Sequence, residues 1–205
     1  MKPNLILGSS SPRRRELLQL LVGSSQTIET IPPANFEELC FDDCHTQHTI
    51  DDRLRSNVEG KWHDVCQSLA PKTDAVLVCA DTIVVVRNQD SGDLVVLGKP
   101  PQEPDHKTLR HWFRSYYSGQ SHQVITGVRV GPISSPHYKA VSTTISCPEI
   151  SDEMIDWYIQ TQEPFGKAGG YGIQGLGSLF VEHLEGSLTN VIGLPLEFLR
   201  SELKF

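Results

Sequence analysis

The chain has 205 residues, with 25 Asp or Glu against 18 Lys or Arg and a formal net charge of -7. That length suffices for one α/β domain over 1–205, and the acidic balance argues against a surface built to neutralise nucleic-acid phosphates. No stretch approaches the roughly 18 apolar residues that span a bilayer, and the apolar start is too short for a secretory segment, so a soluble protein of the cytoplasm is expected.

Residues 4–7 predict a short strand. Gly8-Ser9-Ser10-Ser11-Pro12 then leads into a helix, with Ser11 as N-cap and Pro12 at the first helical position. Leu17, Leu18 and Leu21 give it one buried face, and Gly23 a stop. A second strand is predicted over 27–31, closed by Pro32-Pro33, and the polar stretch to His48 predicts a loop. Cys40, Cys44, His45 and His48 in that loop offer donors that zinc accepts, but lack the separating loop of zinc fingers, and a polar surface segment is the other reading. The five scattered cysteines suit a reducing compartment.

Leu54, Val58, Trp62 and Val65 predict a helix over 51–69, followed by an apolar strand around residue 81. The turn-rich 88–93 and a strand at 94–97 complete a hairpin that ends in Gly98-Lys99-Pro100. A helix is predicted over 103–117, with Leu109, Trp112, Phe113 and Tyr116 on its apolar side and Gly119 ending it. Two strands over 124–130 and 139–147 precede a helix over 152–160 with acids in its first turn. A glycine-dense loop, a strand at 178–182 and a helix over 195–203 close the chain. Strands and helices alternate but hairpins intervene, so the sheet is expected to be mixed.

Three places point to chemistry. Asp81 stands alone between apolar residues 75–80 and 83–86, where an unpaired carboxylate is expensive. It needs a cation, a metal or a chemical task, and is the first candidate for a catalytic group. The alternative is a strand end at which Asp81 caps a turn with Thr82. The turn from Gly8 to Arg14 places hydroxyls and a helix N-terminus after a strand, with arginines in the first turn, as an anion site does. An ordinary Ser-capped helix with a solvated basic patch fits it as well. Between 166 and 177, six of twelve residues are glycine, with Lys167 and Gln174 among them. Gly170, Gly172 and Gly175 match a dinucleotide fingerprint formally, but a loop precedes them and a strand-like segment follows. A flexible surface loop is the other reading. Lys61 and Lys99, taken singly, read as surface residues.

Five strings stand in a shared order: 7–14 (LGSSSPRR), 80–82 (ADT), 97–100 (LGKP), 167–175 (KAGGYGIQG) and 193–195 (GLP). In order and spacing they resemble the Maf family over nearly the whole chain. The resemblance implies an α/β fold, a mixed, twisted sheet with flanking helices forming two lobes around a central cleft. It implies a commonly dimeric, metal-dependent nucleotide pyrophosphatase that cuts a nucleoside triphosphate to monophosphate and pyrophosphate, in a family first associated with septum formation. By position, Asp81 matches the proposed general base. Arg13, Thr82 and Gln174 match the three positions that separate subfamilies, in the dTTP/UTP pattern. The resemblance also implies phosphate contacts for Ser9, Ser11, Arg14, Lys99 and Lys167, further polar positions at Lys61 and Glu38, and Mg2+ or Mn2+ shared by Glu38 and Asp81. The implied partners are the nucleotide and a second copy of the chain, with no nucleic acid or membrane. A nucleotide-binding regulator of division without turnover is the alternative. Gly8 and Gly170 stand where the family commonly has alanine, and Gly8 is expected to be harmless if only a tight turn is needed. Trp62 stands where a small residue is usual, and 112–117 and 88–93 are bulkier or longer than typical.

Overall fold

The computed structural model describes residues 4–69, 75–103 and 106–203. Its spine is β3 (Val76–Arg87), twelve residues of mostly β-branched and small side chains buried along nearly their whole length. One edge of β3 pairs antiparallel with β5 (Ser121–Pro132), from Val76 opposite Pro132 to Val85 opposite Gln123. Two short strands share the other edge. β1 (Leu5–Leu7) runs parallel along Val76 to Val78, and β4 (Leu94–Leu97) runs antiparallel along Val84 to Arg87. Both therefore end, by their carboxyl termini, at a gap facing residues 79–83. Strand ends at such a switch in direction form ligand crevices in open α/β sheets. β2 (Ile28–Thr30) lies parallel to β1, while β6 (His137–Ser146) and β7 (His183–Glu185) extend the sheet beyond β5.

Helices cover both faces of this mixed sheet. α1 (Pro12–Val22) opens as its sequence predicts, with Ser11 accepting from the Arg14 amide and Gly23 closing it at φ 75. With α6 (Leu196–Leu203) it packs Leu17, Leu18 and Leu199 on Val78, Ala80 and Val128. α2 (Gln47–Ser68) begins four residues before the predicted 51, because a reciprocal Thr46–Thr49 capping box extends it past its first core residue, Ile50. It sets Ile50 and Leu54 on Ile83 and Val85, and Trp62 and Val65 on Leu77 and Cys79. At the far end an aromatic cluster of Phe113, Tyr117, Tyr158 and Phe180 packs against Val84 and Val86, with Tyr158 on α4 (Asp152–Gln160).

The structure corrects several sequence expectations. α3 (Lys107–Trp112) starts later than 103, and residues 104 and 105 of the predicted helix lie outside the described residues. The helix continues as a π-helical turn, Phe113–Tyr117, closed by the Ser118 amide on the Phe113 carbonyl at 2.9 Å. The wider turn keeps both Phe113 and Tyr117 in the core. The predicted strand at 178–182 is absent: Leu176–Phe180 is a 3-10 turn with Leu179 exposed and Phe180 buried, and β7 follows it. α5 (Leu188–Ile192), capped by Ser187, was not predicted. Gly8 does more than allow a turn, because a Cβ there would lie 2.4 Å from the Cys79 Sγ.

Candidate active site

The gap in the sheet opens into a cleft of about 770 Å³, within the range of small-molecule sites. Asp81 lies in its floor, in the interior of β3 and opposite Gly127 of β5. The turn-capping alternative for Asp81 is therefore overturned. β1 delivers the turn holding Ser9, Ser11, Arg13 and Arg14 to one side of the cleft, and β4 delivers Gly98 and Lys99 to the other. Glu38, Lys61, Thr82, Lys167 and Gln174 line the same space. Every residue that the family resemblance singled out thus lines one crevice, whereas Cys44, His45 and His48 do not.

The buried acid has its cation. Lys61 Nζ donates to Asp81 Oδ1 at 2.7 Å and to Glu38 Oε1 at 2.6 Å. The Lys61 and Asp81 side chains are 10% and 11% exposed and that of Glu38 59%, so the three form a charge ladder from the floor to the rim. A buried ion pair offsets its desolvation only with close geometry, which this one has. Burial pushes the Glu38 carboxyl up, but the hydrogen bond and charge of Lys61, with Lys99 and Arg14 beyond, hold it below its ordinary value. Trp62 does not disturb this arrangement: it points into the core beside Ile6 and Leu77, with the Arg129 guanidinium 5.4 Å over its ring.

Arg14 is committed largely to the protein. Its Nε donates to the Gly193 carbonyl at 2.9 Å, one Nη to Thr82 Oγ1 at 2.9 Å and the other to Ser9 Oγ at 3.3 Å. Five donors make up a guanidinium, so one N–H on each terminal nitrogen remains for an anion. Burial lowers the Arg14 pKa, opposed by Asp81 and Glu38. Ser9 Oγ also accepts from the Ser11 amide, and Ser11 Oγ caps α1. Both hydroxyls act here as acceptors and keep their own proton to donate. Thr82 Oγ1 shares a 3.0 Å hydrogen bond with Thr126 Oγ1, and Thr126 donates to the carbonyl of buried Asn190 on α5. Arg13 is exposed at the mouth.

The glycine-rich stretch is held from several sides, which overturns the flexible-loop reading. Gly169 and Gly170 take φ of 72 and 71, a left-handed pair that L side chains rarely adopt. The Gly169 amide donates to the Gly98 carbonyl at 2.9 Å, tying the loop to the Lys99 turn. Tyr117 of the π-helical turn donates to the Gly169 carbonyl at 2.7 Å. The Tyr171 hydroxyl meets His122 Nε2 at 2.7 Å. Burial holds His122 down to a pKa of about 3, so it stays neutral. The Glu163 carboxylate accepts from the Leu176 and Gly177 amides and from the Tyr158 hydroxyl. Lys167 Nζ donates to the Glu163 carbonyl. Burial lowers the Lys167 pKa, with Glu163 raising it and Arg13 lowering it further. Gln174 stands exposed at the tip.

Glu163, His122, Tyr117, Thr126 and Asn190 were missed in the sequence. All but Glu163 act on a partner far along the chain, and only the buried polar residues inside apolar strands, His122 and Thr126, left a local signal.

Among the described residues no group of three or more His, Cys, Asp or Glu side chains could hold a metal, and of the proposed zinc donors Cys44 is buried while Cys40 is exposed. Glu38 and Asp81 offer two carboxylates, and Lys61 occupies the position between them. That donor set fits Mg2+ or Mn2+ carried in by phosphates, which such ions meet through one or two carboxylates, and does not form a closed protein cage.

The model of the Maf-like protein family matches residues 4–205. A protein of Phocaeicola vulgatus named dTTP/UTP pyrophosphatase is 37% identical over 209 residues, covering 99% of this chain and 96% of its own. Proteins of the same name from Clostridium botulinum and Pyrococcus furiosus are 34% and 36% identical, covering 98% and 94% of this chain and 97% and 90% of their own. A match of this extent, on a chain whose five motif strings converge on one cleft, makes it a member of the Maf family.

Proposed function

We propose that this protein is a nucleoside triphosphate pyrophosphatase that hydrolyses dTTP and UTP to the monophosphate and pyrophosphate. The names of its near-full-length relatives support the reaction and substrates. The observation that carries the mechanism is Asp81 in the cleft floor, flanked by the serine-rich turn and the glycine-rich loop. Asp81 is the general base. Lys61 occupies its Oδ1, so Oδ2 accepts the proton as the water oxygen attacks the α-phosphorus. The bond from that phosphorus to the bridging oxygen breaks, and pyrophosphate leaves with the electron pair. Lys99, Lys167, Arg13 and the remaining N–H groups of Arg14 offset the triphosphate charge, aided by donation from Ser9 and Ser11. The Gln174 amide, with a donor and an acceptor side by side, reads the edge of uracil or thymine, while Arg13 and Thr82 complete the selection. A divalent ion carried in with the phosphates, which Glu38 and Asp81 would hold, would neutralise charge that develops on the phosphate oxygens.

No described helix is long and apolar enough to cross a membrane. A single domain over 1–205, a homodimer and a cytoplasmic location complete the reading. The test is a panel of purified nucleoside triphosphates, with and without Mg2+, in which nucleoside monophosphate and pyrophosphate are both quantified. Equimolar release from dTTP and UTP in preference to purine nucleotides is expected; binding of dTTP and UTP without release overturns the reading.

A further inference from the structure

Glu38 is carried by a segment between β2 and α2, residues 31–46, that contains no helix or strand. Such a segment does not by itself hold one carboxylate 2.6 Å from the Lys61 ammonium. One face of α2 holds it. Asp64 accepts through Oδ1 from the Ala34 amide and through Oδ2 from the Asn35 amide, both at 2.8 Å. Asn57 accepts from the Leu39 amide at 2.8 Å and donates to the Leu39 carbonyl at 3.1 Å, pairing with that residue as a neighbouring strand would. Between them the ring of Phe36 lies against Gly60, where a Cβ would come within 2.0 Å of it.

Gly60 and Lys61 stand three and four residues after Asn57, and Asp64 four and three after them, so all four share a face. Asn57 is 0% and Asp64 7% exposed. Buried polar groups are expensive unless paired, and the hydrogen bonds of these two side chains run to main-chain groups on either side of Glu38.

We propose that Asn57 and Asp64 are positioning residues that clamp the main chain on both sides of Glu38 and aim its carboxylate at Lys61 and the bound triphosphate. This rests on the reading that Glu38 works in the cleft. The same helix face thus presents the ammonium and grips the segment that brings the outer carboxylate to it, fixing the distance between the two.

The test is a double-mutant cycle on the full chain, with dTTP as substrate and kcat and KM measured separately. Asn57→Leu keeps the number and branching of side-chain heavy atoms and removes both hydrogen bonds; Glu38→Gln removes the charge that the clamp serves. Each single substitution is expected to lower kcat/KM by about tenfold, a coupling of about 1.4 kcal/mol, with little change in the far-ultraviolet circular dichroism. The double variant is expected to be no worse than Glu38→Gln alone. Asp64→Asn, which keeps one acceptor, should lose less than Asp64→Ala. Wild-type kcat/KM in Asn57→Leu, or losses that multiply to about a hundredfold in the double variant, would overturn the proposal, the second by showing a role independent of Glu38. If Asn57→Leu does not fold, Asp64→Ala in the same cycle carries the comparison. Wild-type activity in Glu38→Gln alone is a different failure: it removes Glu38 from the mechanism, and the reason for a clamp with it.

Discussion

Replacing Gly8 by alanine adds a single methyl group at the entrance to the serine-rich turn, and the structure states what that group meets. Its Cβ would lie 2.4 Å from the Cys79 Sγ and 3.2 Å from a Val65 methyl. Gly8 and Cys79 are both buried, and the Gly8 amide donates to the Val78 carbonyl at 2.8 Å, so neither chain can step aside without breaking sheet pairing. Overpacking of this kind costs about 1–3 kcal/mol. At this chain length that corresponds to a fall in Tm of about 2–12 °C. Cys79→Ala removes the obstructing sulfur and leaves a small cavity, so each single variant is destabilised by a different cause. Combined, the new methyl group occupies space the sulfur has left. Chemical denaturation of the four proteins in the cycle reads the coupling, and the double variant is expected to be more stable than the sum of the single losses predicts. Additive losses, or a Gly8→Ala variant as stable as wild type, would refute the claim that glycine at 8 and cysteine at 79 are a matched pair.

Other outcomes follow from the site. Because Lys61 holds the Glu38 carboxyl below its ordinary value of 4.5, the stability it contributes is complete above that value and is lost as pH falls through the folded one. Glu38→Gln should flatten the acid side of a plot of stability against pH, and an unchanged acid limb would count against the pair. Glu163→Ala removes the acceptor for the Leu176 and Gly177 amides, so KM for dTTP should rise several-fold with a smaller change in kcat; a KM at the wild-type value would mean that the loop tip is held without it. Gln174→Glu replaces the amide donor by an acceptor and should erase the preference for dTTP and UTP over other triphosphates, read from relative kcat/KM; an unchanged ranking would remove Gln174 from base reading.

What the sequence disclosed and what it hid divide along physical lines. The Ser11 cap, Pro12 and Gly23 are local signals, and α1 falls where they put it. Asp81 was conspicuous because a lone carboxylate in an apolar run has no local explanation, and its partner proved to be a lysine on the neighbouring helix. The gap in the sheet was not legible, because it arises where β1 and β4, far apart in the chain, share one edge of β3. Nor was the commitment of Arg14 to a carbonyl 179 residues away. The 178–182 segment misled because its short apolar run, Leu179-Phe180-Val181 between Ser178 and Glu182, fits a strand, whereas the glycines before it and the Glu163 carboxylate beneath it impose a tighter turn. Asn57 and Asp64 did leave a trace: polar residues at helical spacing beside Leu54, Val58 and Val65 sit where apolar ones would be expected.

The central claim is that Asp81 takes the proton from the attacking water. Asp81→Asn preserves size and can still accept from Lys61, so dTTP should bind within a few-fold of wild type while kcat falls by about a hundredfold or more, the usual contribution of a general base. Calorimetric binding and quenched single-turnover hydrolysis on the same preparation measure both. A variant that binds dTTP normally and turns it over at near the wild-type rate would contradict the account.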